Sequence, residues 1–316
     1  MRLVLTFVLI FAIAAISYVA VSGYFLARAA SGLLQVGAIA STISQATPPE
    51  NPLALGYRGD PMQALSLPFQ VVRIETPLGP SEAWLVPAKA EERGRAIYVH
   101  GIAGAREDGY RHLGMLHEAG WSVMLISYRN DPTAPAGPEG MYGFGLLEWP
   151  DLEAAVARFS PGPDGPGLLV VADSMGGAIL GQFLRQSPLA DRVAAVALDS
   201  PGLSFKAVIG HLAAQGGKPL PWAMAWTADK LLPQLTSLPL GQAEVLDGFV
   251  AYPGPLFIAH GAGDRIVPIQ PSQDLAAGRA APTTSLWTGA DHLGSYAEDP
   301  AAYRSAFLGF LQDLGS

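Results

Sequence analysis

Ser174 stands in Val171-Ala172-Asp173-Ser174-Met175-Gly176-Gly177, where an apolar run from Leu168 ends in small residues and a glycine pair opens a helical pattern. A strand that turns sharply into a helix at a serine is a nucleophile elbow. Small side chains two positions before and after the serine let the backbone fold tightly enough to push the hydroxyl out of the sheet. That hydroxyl is a poor nucleophile until an imidazole takes its proton, and the imidazole needs a carboxylate to fix its tautomer and stabilise its cation. Of the six histidines, His292 lies in Gly289-Ala290-Asp291-His292-Leu293-Gly294, just past the last strand pattern. Asp264 lies in His260-Gly261-Ala262-Gly263-Asp264-Arg265, just past the strand pattern before it. The chain order is Ser…Asp…His, the order expected of a triad built on such an elbow. Asp199, which follows an earlier strand pattern, is the alternative acid.

Acyl transfer by such a triad also needs preset N–H donors for the oxyanion. Met175 supplies one at the start of the helix after the nucleophile, where the macrodipole favours negative charge. The second is expected at Ile102, in the turn Tyr98-Val99-His100-Gly101-Ile102-Ala103-Gly104. His100 and His260 each close a strand and read as residues that hold turns. His112, His117 and His211 have no supporting pattern and read as helix-surface or core histidines. No pair of histidines with nearby carboxylates has metal-ligand spacing. The chemistry needs neither metal nor cofactor.

Eight strand patterns must position these residues: 69–75, 82–86, 96–100, 122–128, 168–171, 194–198, 256–260 and 285–288. Helical patterns alternate with them, including one that starts at Glu148-Trp149-Pro150-Asp151, with Leu152, Val156 and Phe159 at spacings of four and three. Continuous apolar strands separated by helices predict a mostly parallel sheet covered on both faces. The first two strands, close in sequence, predict an antiparallel hairpin at its edge. Residues 201–253 break the alternation and are expected to form a cap over the carboxyl edge. The stretch Leu220-Pro221-Trp222-Ala223-Met224-Ala225-Trp226 suits a lid packed on the core; an acyl pocket or a membrane contact is the alternative.

Composition bounds the rest. The 316 residues carry a formal net charge of −8, against the basic footprint that nucleic acid demands. There is no cysteine, which excludes disulfides, thiolate metal sites and cysteine nucleophiles. Residues 3–27 hold no charge and as a helix would extend roughly 37 Å, enough to cross a ~30 Å hydrocarbon core with tilt. This length favours an uncleaved single-pass anchor in residues 1–30 over a signal peptide cleaved near Ala27-Arg28-Ala29. A slight positive-inside excess at Arg2 and the terminal amine puts the remainder on the extracytoplasmic side. Residues 31–66, with Pro48-Pro49-Glu50-Asn51-Pro52, read as a tether, and 67–316 as the catalytic domain.

Taken together, the His100-Gly101 turn, the Ser174 elbow, Asp264 in Gly-x-Gly-Asp-x-x-Val-Pro and His292 in Gly-x-x-His resemble the α/β-hydrolase-fold serine hydrolases over about residues 69–314. Tyr128-Arg129-Asn130-Asp131-Pro132 followed by Glu148-Trp149-Pro150-Asp151 is similar to a bacterial branch of membrane-attached hydrolases, described as hydrolases or esterases. Ala172 departs from the glycine more common at that elbow position, yet is small enough for the turn. The resemblance implies an α/β-hydrolase fold with an eight-stranded sheet. It also implies a small-molecule acyl ester as substrate, cleaved by Ser174 with His292 as proton carrier and Asp264 as its orienting acid. A peptidase or acyltransferase on the same triad, and a non-catalytic anchored binding domain, are the alternatives.

Overall fold

The computed structural model describes residues 1–38, 48–162 and 167–314. Residues 39–47 of the expected tether, 163–166 and 315–316 lie outside the described residues. Eight strands form one sheet: β1 (Gln70–Thr76), β2 (Gly79–Val86), β3 (Gly94–Val99), β4 (Trp121–Ile126), β5 (Leu168–Asp173), β6 (Val193–Asp199), β7 (Leu256–Gly261) and β8 (Thr283–Thr288). Their order is β1-β2-β4-β3-β5-β6-β7-β8. β2 runs antiparallel to both β1 and β4, and every other pairing is parallel. The hairpin closes where Thr76 pairs with Gly79, whose φ of +126° suits only glycine.

Helices flank the sheet: α1 (Arg2–Leu33), α2 (Pro61–Leu65), α3 (Tyr110–Glu118), α4 (Trp149–Phe159), α5 (Met175–Gln186), α6 (Phe205–Gln215), α7 (Pro221–Thr236), α8 (Leu246–Ala251), α9 (Gln270–Gly278), α10 (Ser295–Glu298) and α11 (Pro300–Asp313). The side-chain period of two divides β5 between two cores. Leu168, Val170 and Ala172 join the core that holds Leu152 and Val156 of α4 and Ile179 and Phe183 of α5. Leu169 and Val171 join the core that holds Leu113 of α3 and Phe307 and Phe310 of α11. A strand buried on both faces must be apolar throughout, which is why β4 and β5 showed no alternation in sequence.

Strand ends shift where loops take over the backbone. β4 stops at Ile126, two residues before the expected end, because the next residues turn away. The Ser127 carbonyl accepts from the Ser81 hydroxyl (2.7 Å), and the Tyr128 N–H donates to Asp131 (2.8 Å). β5 runs on to Asp173, so the nucleophile candidate follows the strand directly.

The insertion between β6 and β7 contains α6, α7 and α8. α6 opens under a cap from Ser204, whose Oγ accepts from the Ala207 N–H at 3.0 Å. α7 turns Ala223, Met224, Ala228 and Leu232 inward while Trp222 and Trp226 face out, so these tryptophans are not the lid-to-core contact that the sequence suggested. The buried face of α7 is built from small and flexible side chains instead. α1 lies along α7 through Gly23, Ala27, Ala30 and Ser31. A Cβ at Gly23 would fall 2.5 Å from Cβ of Thr227, so glycine is what lets the two helices approach. The helix ends beyond the anchor boundary expected at residue 30. The segment after it is also tied down: Tyr142 N–H donates to the Leu34 carbonyl (2.8 Å), and Gln35 bridges to Met141.

Candidate active site

Ser174 sits between β5 and α5 at φ 52° and ψ −119°. A non-glycine residue in this region costs about 1–3 kcal/mol and persists only where its surroundings over-determine it. Here the Ser174 N–H donates to the Asp199 carbonyl (3.0 Å), and its own carbonyl accepts from Gly177 (3.0 Å) and Gly202 (2.8 Å). Gly176 is required by close approach, since a Cβ there would stand 2.4 Å from the Val99 oxygen. The backbone is thereby held so that the hydroxyl meets the loops at the carboxyl edge.

Those loops deliver the other two residues. His292 Nε2 lies 2.9 Å from Ser174 Oγ, and His292 Nδ1 lies 2.7 Å from Asp264 Oδ2. A carboxylate partner makes Nδ1 the protonated nitrogen and leaves Nε2 free to accept from the hydroxyl. Asp264 is itself held from several sides. Oδ1 accepts from the N–H groups of Ile266 and Val267, both at 2.8 Å, and Oδ2 from His260 Nε2 at 3.1 Å. His260 Nδ1 meets the Ser272 hydroxyl at 2.7 Å, so this turn-closing histidine also steadies the acid. Asp199 has a different environment, described below, and does not contact His292 among the described bonds.

Burial by itself would raise the Asp264 pKa, but hydrogen bonds from His260, His292 and Val267 outweigh it and hold the carboxyl well below the usual range. Its folded value therefore lies under the unfolded ~3.9. Between the two values the unfolded chain binds the extra proton, so this contribution to stability rises with pH. The stability gap between wild type and Asp264→Asn should be full above about pH 5 and shrink as pH falls through the acid range. Urea unfolding of both proteins across that range measures it, and a gap independent of pH would refute the assignment.

The second turn of the site is Gly101–Gly104, closed by the Gly104 N–H on the Gly101 carbonyl (3.1 Å) with Ala103 at φ 52°. Gly101 abuts the nucleophile candidate: a Cβ there would lie 2.9 Å from Ser174 Cβ. Ile102 and Met175 thus each follow one of two residues in mutual contact. His100 anchors this turn, with Nδ1 2.8 Å from the Gly101 carbonyl and Nε2 2.8 Å from Asp131 Oδ2. Burial would lower its pKa, but Asp131 and the two acceptors together raise it above the ordinary value. Gly101→Ala should lower any turnover that runs through Ser174 by roughly 10²-fold, the order expected of a misplacement near 1 Å, and cost about 1–3 kcal/mol of stability through the overlap with Ser174 Cβ. Thermal melts beside turnover of the substrates proposed below separate the two effects.

Sequence reasoning missed the polar cluster behind the elbow. The buried Asp173 carboxylate accepts from Tyr98 Oη (2.7 Å), Arg111 Nη2 (2.6 Å) and His112 Nε2 (3.2 Å). Arg111 also reaches Asp199 Oδ2 at 3.4 Å, to which Tyr303 donates at 3.0 Å. Burial raises the Asp173 pKa, yet Arg111 and His112 overcome it and leave the carboxyl below its ordinary value. His112, Asp173 and Asp199 approach metal-ligand spacing, but the Arg111 guanidinium already brings positive charge to both carboxylates. A second link, also missed, runs from Asp199 to Ser200 Oγ (3.2 Å) and on to the N–H of Leu293, beside His292, at 3.2 Å. Ser200 and Leu293 both have positive φ, 45° and 54°. Asp199 was visible only as a rival acid; its links to Arg111, Tyr303 and, through Ser200, to Leu293 join residues that no local spacing connects.

The cap touches the same centre, with His211 Nε2 on α6 lying 2.9 Å from the Asp264 carbonyl. Arg129 makes a two-pronged pair with Asp151 (2.8 and 2.9 Å) and stays in the loop framework.

No protein-family model and no curated protein matches the chain. Solved structures do. An esterase of Pyrococcus furiosus is 18% identical over 84% of this chain and 97% of its own, with a TM-score of 0.62. A thermophilic esterase from Thermogutta terrifontis covers 78% of this chain and all of its own (100%) at 17% identity and a TM-score of 0.56. The esterase domain of a Rhodothermus marinus protein covers 79% of this chain and 100% of its own at 19% identity and a TM-score of 0.53. With the mostly parallel eight-stranded sheet and the strand-to-helix turn at Ser174, these likenesses define the α/β-hydrolase fold. The chain adds an apolar helix at its N-terminus, long enough by length and composition to cross a membrane.

Proposed function

We propose that this protein is a membrane-anchored serine hydrolase that cleaves carboxylic esters through an acyl-enzyme. The observation that carries the reading is the unbroken chain of contacts Ser174 Oγ–His292 Nε2 (2.9 Å) and His292 Nδ1–Asp264 Oδ2 (2.7 Å) on a strained strand-to-helix turn. Ser174 Oγ attacks the acyl carbonyl while its proton passes to Nε2. Asp264 stabilises the resulting imidazolium, and the N–H groups of Ile102 and Met175 receive the oxyanion. Collapse of the intermediate expels the alcohol, which leaves with the proton from His292. Water then attacks the acyl group with His292 as base, the acid departs, and Ser174 recovers its proton. The esterase names of the structural neighbours agree with this class of reaction.

α1 is the proposed anchor, with the N-terminus cytoplasmic and the hydrolase domain outside. Retention rather than cleavage is favoured because Gly23, Ala27, Ala30 and Ser31 are buried in contact with the body. A fluorophosphonate probe should label the folded full-length protein at Ser174 and nowhere else, and p-nitrophenyl esters should be turned over. Folded protein that neither reacts with the probe nor hydrolyses any member of an acyl-chain series overturns the reading.

A further inference from the structure

We infer that α7 docks into the lipid bilayer itself, with Trp222 and Trp226 seated at the headgroup–acyl boundary, so that anchor and cap enter the membrane as one unit. This rests on α1 being a retained anchor and is independent of the esterase chemistry.

The argument starts from length. α1 bonds to the cap at Tyr18, whose hydroxyl lies 3.2 Å from the Pro219 carbonyl and 3.8 Å from Met224 Sδ. Only residues 2–17 of the helix precede that contact, about 24 Å at ~1.5 Å per residue. A hydrocarbon core of ~30 Å needs roughly 20 residues, which carries the span to the neighbourhood of Ser22. At the next residue Gly23 is already against Thr227. A bilayer that covers the whole span therefore also covers the first two turns of α7. Arg28 then falls about 9 Å beyond the hydrocarbon edge, where a charge is tolerated.

The surface that α7 offers there suits lipid. Trp222 is 72% exposed, Trp226 64% and Leu220 41%. Spacing by four puts both tryptophans on one helical face. Pro219 to Ala228 contains no charged residue, while Lys218 stands just before and Asp229-Lys230 just after. Tryptophan has an apolar body and one polar N–H, the combination enriched at membrane–water interfaces. The core has no need of these rings, because the inward face of α7 is already filled by Ala223, Met224, Ala228 and Leu232.

The chain has no cysteine, so single cysteines can report position without background. Full-length Trp222→Cys, Trp226→Cys and Gln234→Cys, each carrying an environment-sensitive fluorophore, would be reconstituted in phosphatidylcholine–phosphatidylglycerol vesicles. Gln234 is exposed near the far end of the same helix. Labels at 222 and 226 should be quenched by nitroxide-bearing lipid and shielded several-fold from aqueous iodide relative to 234. Native fluorescence gives a second readout: brominated lipid should quench wild type, and Trp222→Phe with Trp226→Phe should lose that quenching. A chain that does not float with vesicles overturns the anchor and the docking together. A chain that floats with 222 and 226 as open to iodide as 234 overturns the docking alone, and means that the bilayer thins to the level of Tyr18 instead.

Discussion

Ser174→Ala should cut ester turnover by at least ~10³-fold while leaving the fold intact, the loss other serine triads show when one member is removed. The stability half of the expectation follows from geometry. The Ser174 backbone is held by its own N–H and carbonyl bonds to Asp199, Gly177 and Gly202, none of which involves the hydroxyl. Alanine also faces much the same strain at φ 52° as serine, so nothing is gained or lost there. Among the described residues the hydroxyl bonds to His292 alone. His292→Gln should fall by a similar factor, and the double variant by little more than either, because members of one proton relay act as a unit. Residual turnover over water in these variants would report what the N–H donors contribute alone. The measurement is kcat/KM on a p-nitrophenyl ester with thermal midpoints alongside; a Ser174→Ala protein with unaltered turnover would end the nucleophile assignment.

Arg111→Met should be the most damaging single change to stability, at about 3–5 kcal/mol, the usual cost of leaving buried charge without its partner. Arg111 lies between two carboxylates, Asp173 at 2.6 Å and Asp199 at 3.4 Å, all three side chains almost wholly out of water. For a domain of this size that loss corresponds to a fall in Tm of roughly 6–20 °C. Replacing Asp173 with Asn as well should restore part of it, since a pair removed together leaves less uncompensated charge. Activity should suffer beyond the loss of folded protein. Asp173 immediately precedes Ser174, and the Asp199 carbonyl holds the Ser174 N–H, so slack in this cluster loosens the elbow. Calorimetry of the single and double variants checks the first claim, and kcat per folded molecule checks the second. An Arg111→Met protein with wild-type Tm would show that the cluster does not matter to the fold.

How much of this was visible beforehand depended on whether a signal was local. The elbow was legible because its requirements are local: an apolar strand, small residues at fixed offsets and a helix opening directly afterwards. Asp264 and His292 were legible because each follows a strand pattern, and parallel strands put such loops on one edge. Strand existence came through as continuous apolar runs, while the end at Ile126 was decided by side-chain bonds formed only in three dimensions and the end at Asp173 by pairing with β6. Asp199 showed only as a rival acid, and the Arg111–Asp173–Asp199–Tyr303 cluster did not show as a unit, since its members are joined by the fold and not by spacing. The tryptophans of α7 were misleading for a related reason. Large aromatic residues usually go inside, and which side of a cap helix faces the core depends on its neighbours, here α1.

The contact between α1 and α7 bears on how substrate gains access to Ser174. A lid that swings needs a free face, and α7 has its inner side chains in the body and its flank along Gly23, Ala27 and Ala30. Rigid rotation would strip that flank at roughly 25 cal/mol per Å² of apolar surface. A swing of α7 as a rigid body is thus opposed. In the anchored enzyme proposed above, tension or stiffening in lipid surrounding α1 would reach Ser174, His292 and Asp264 as a mechanical load, transmitted through α7, α6 and the bond between His211 and the Asp264 backbone.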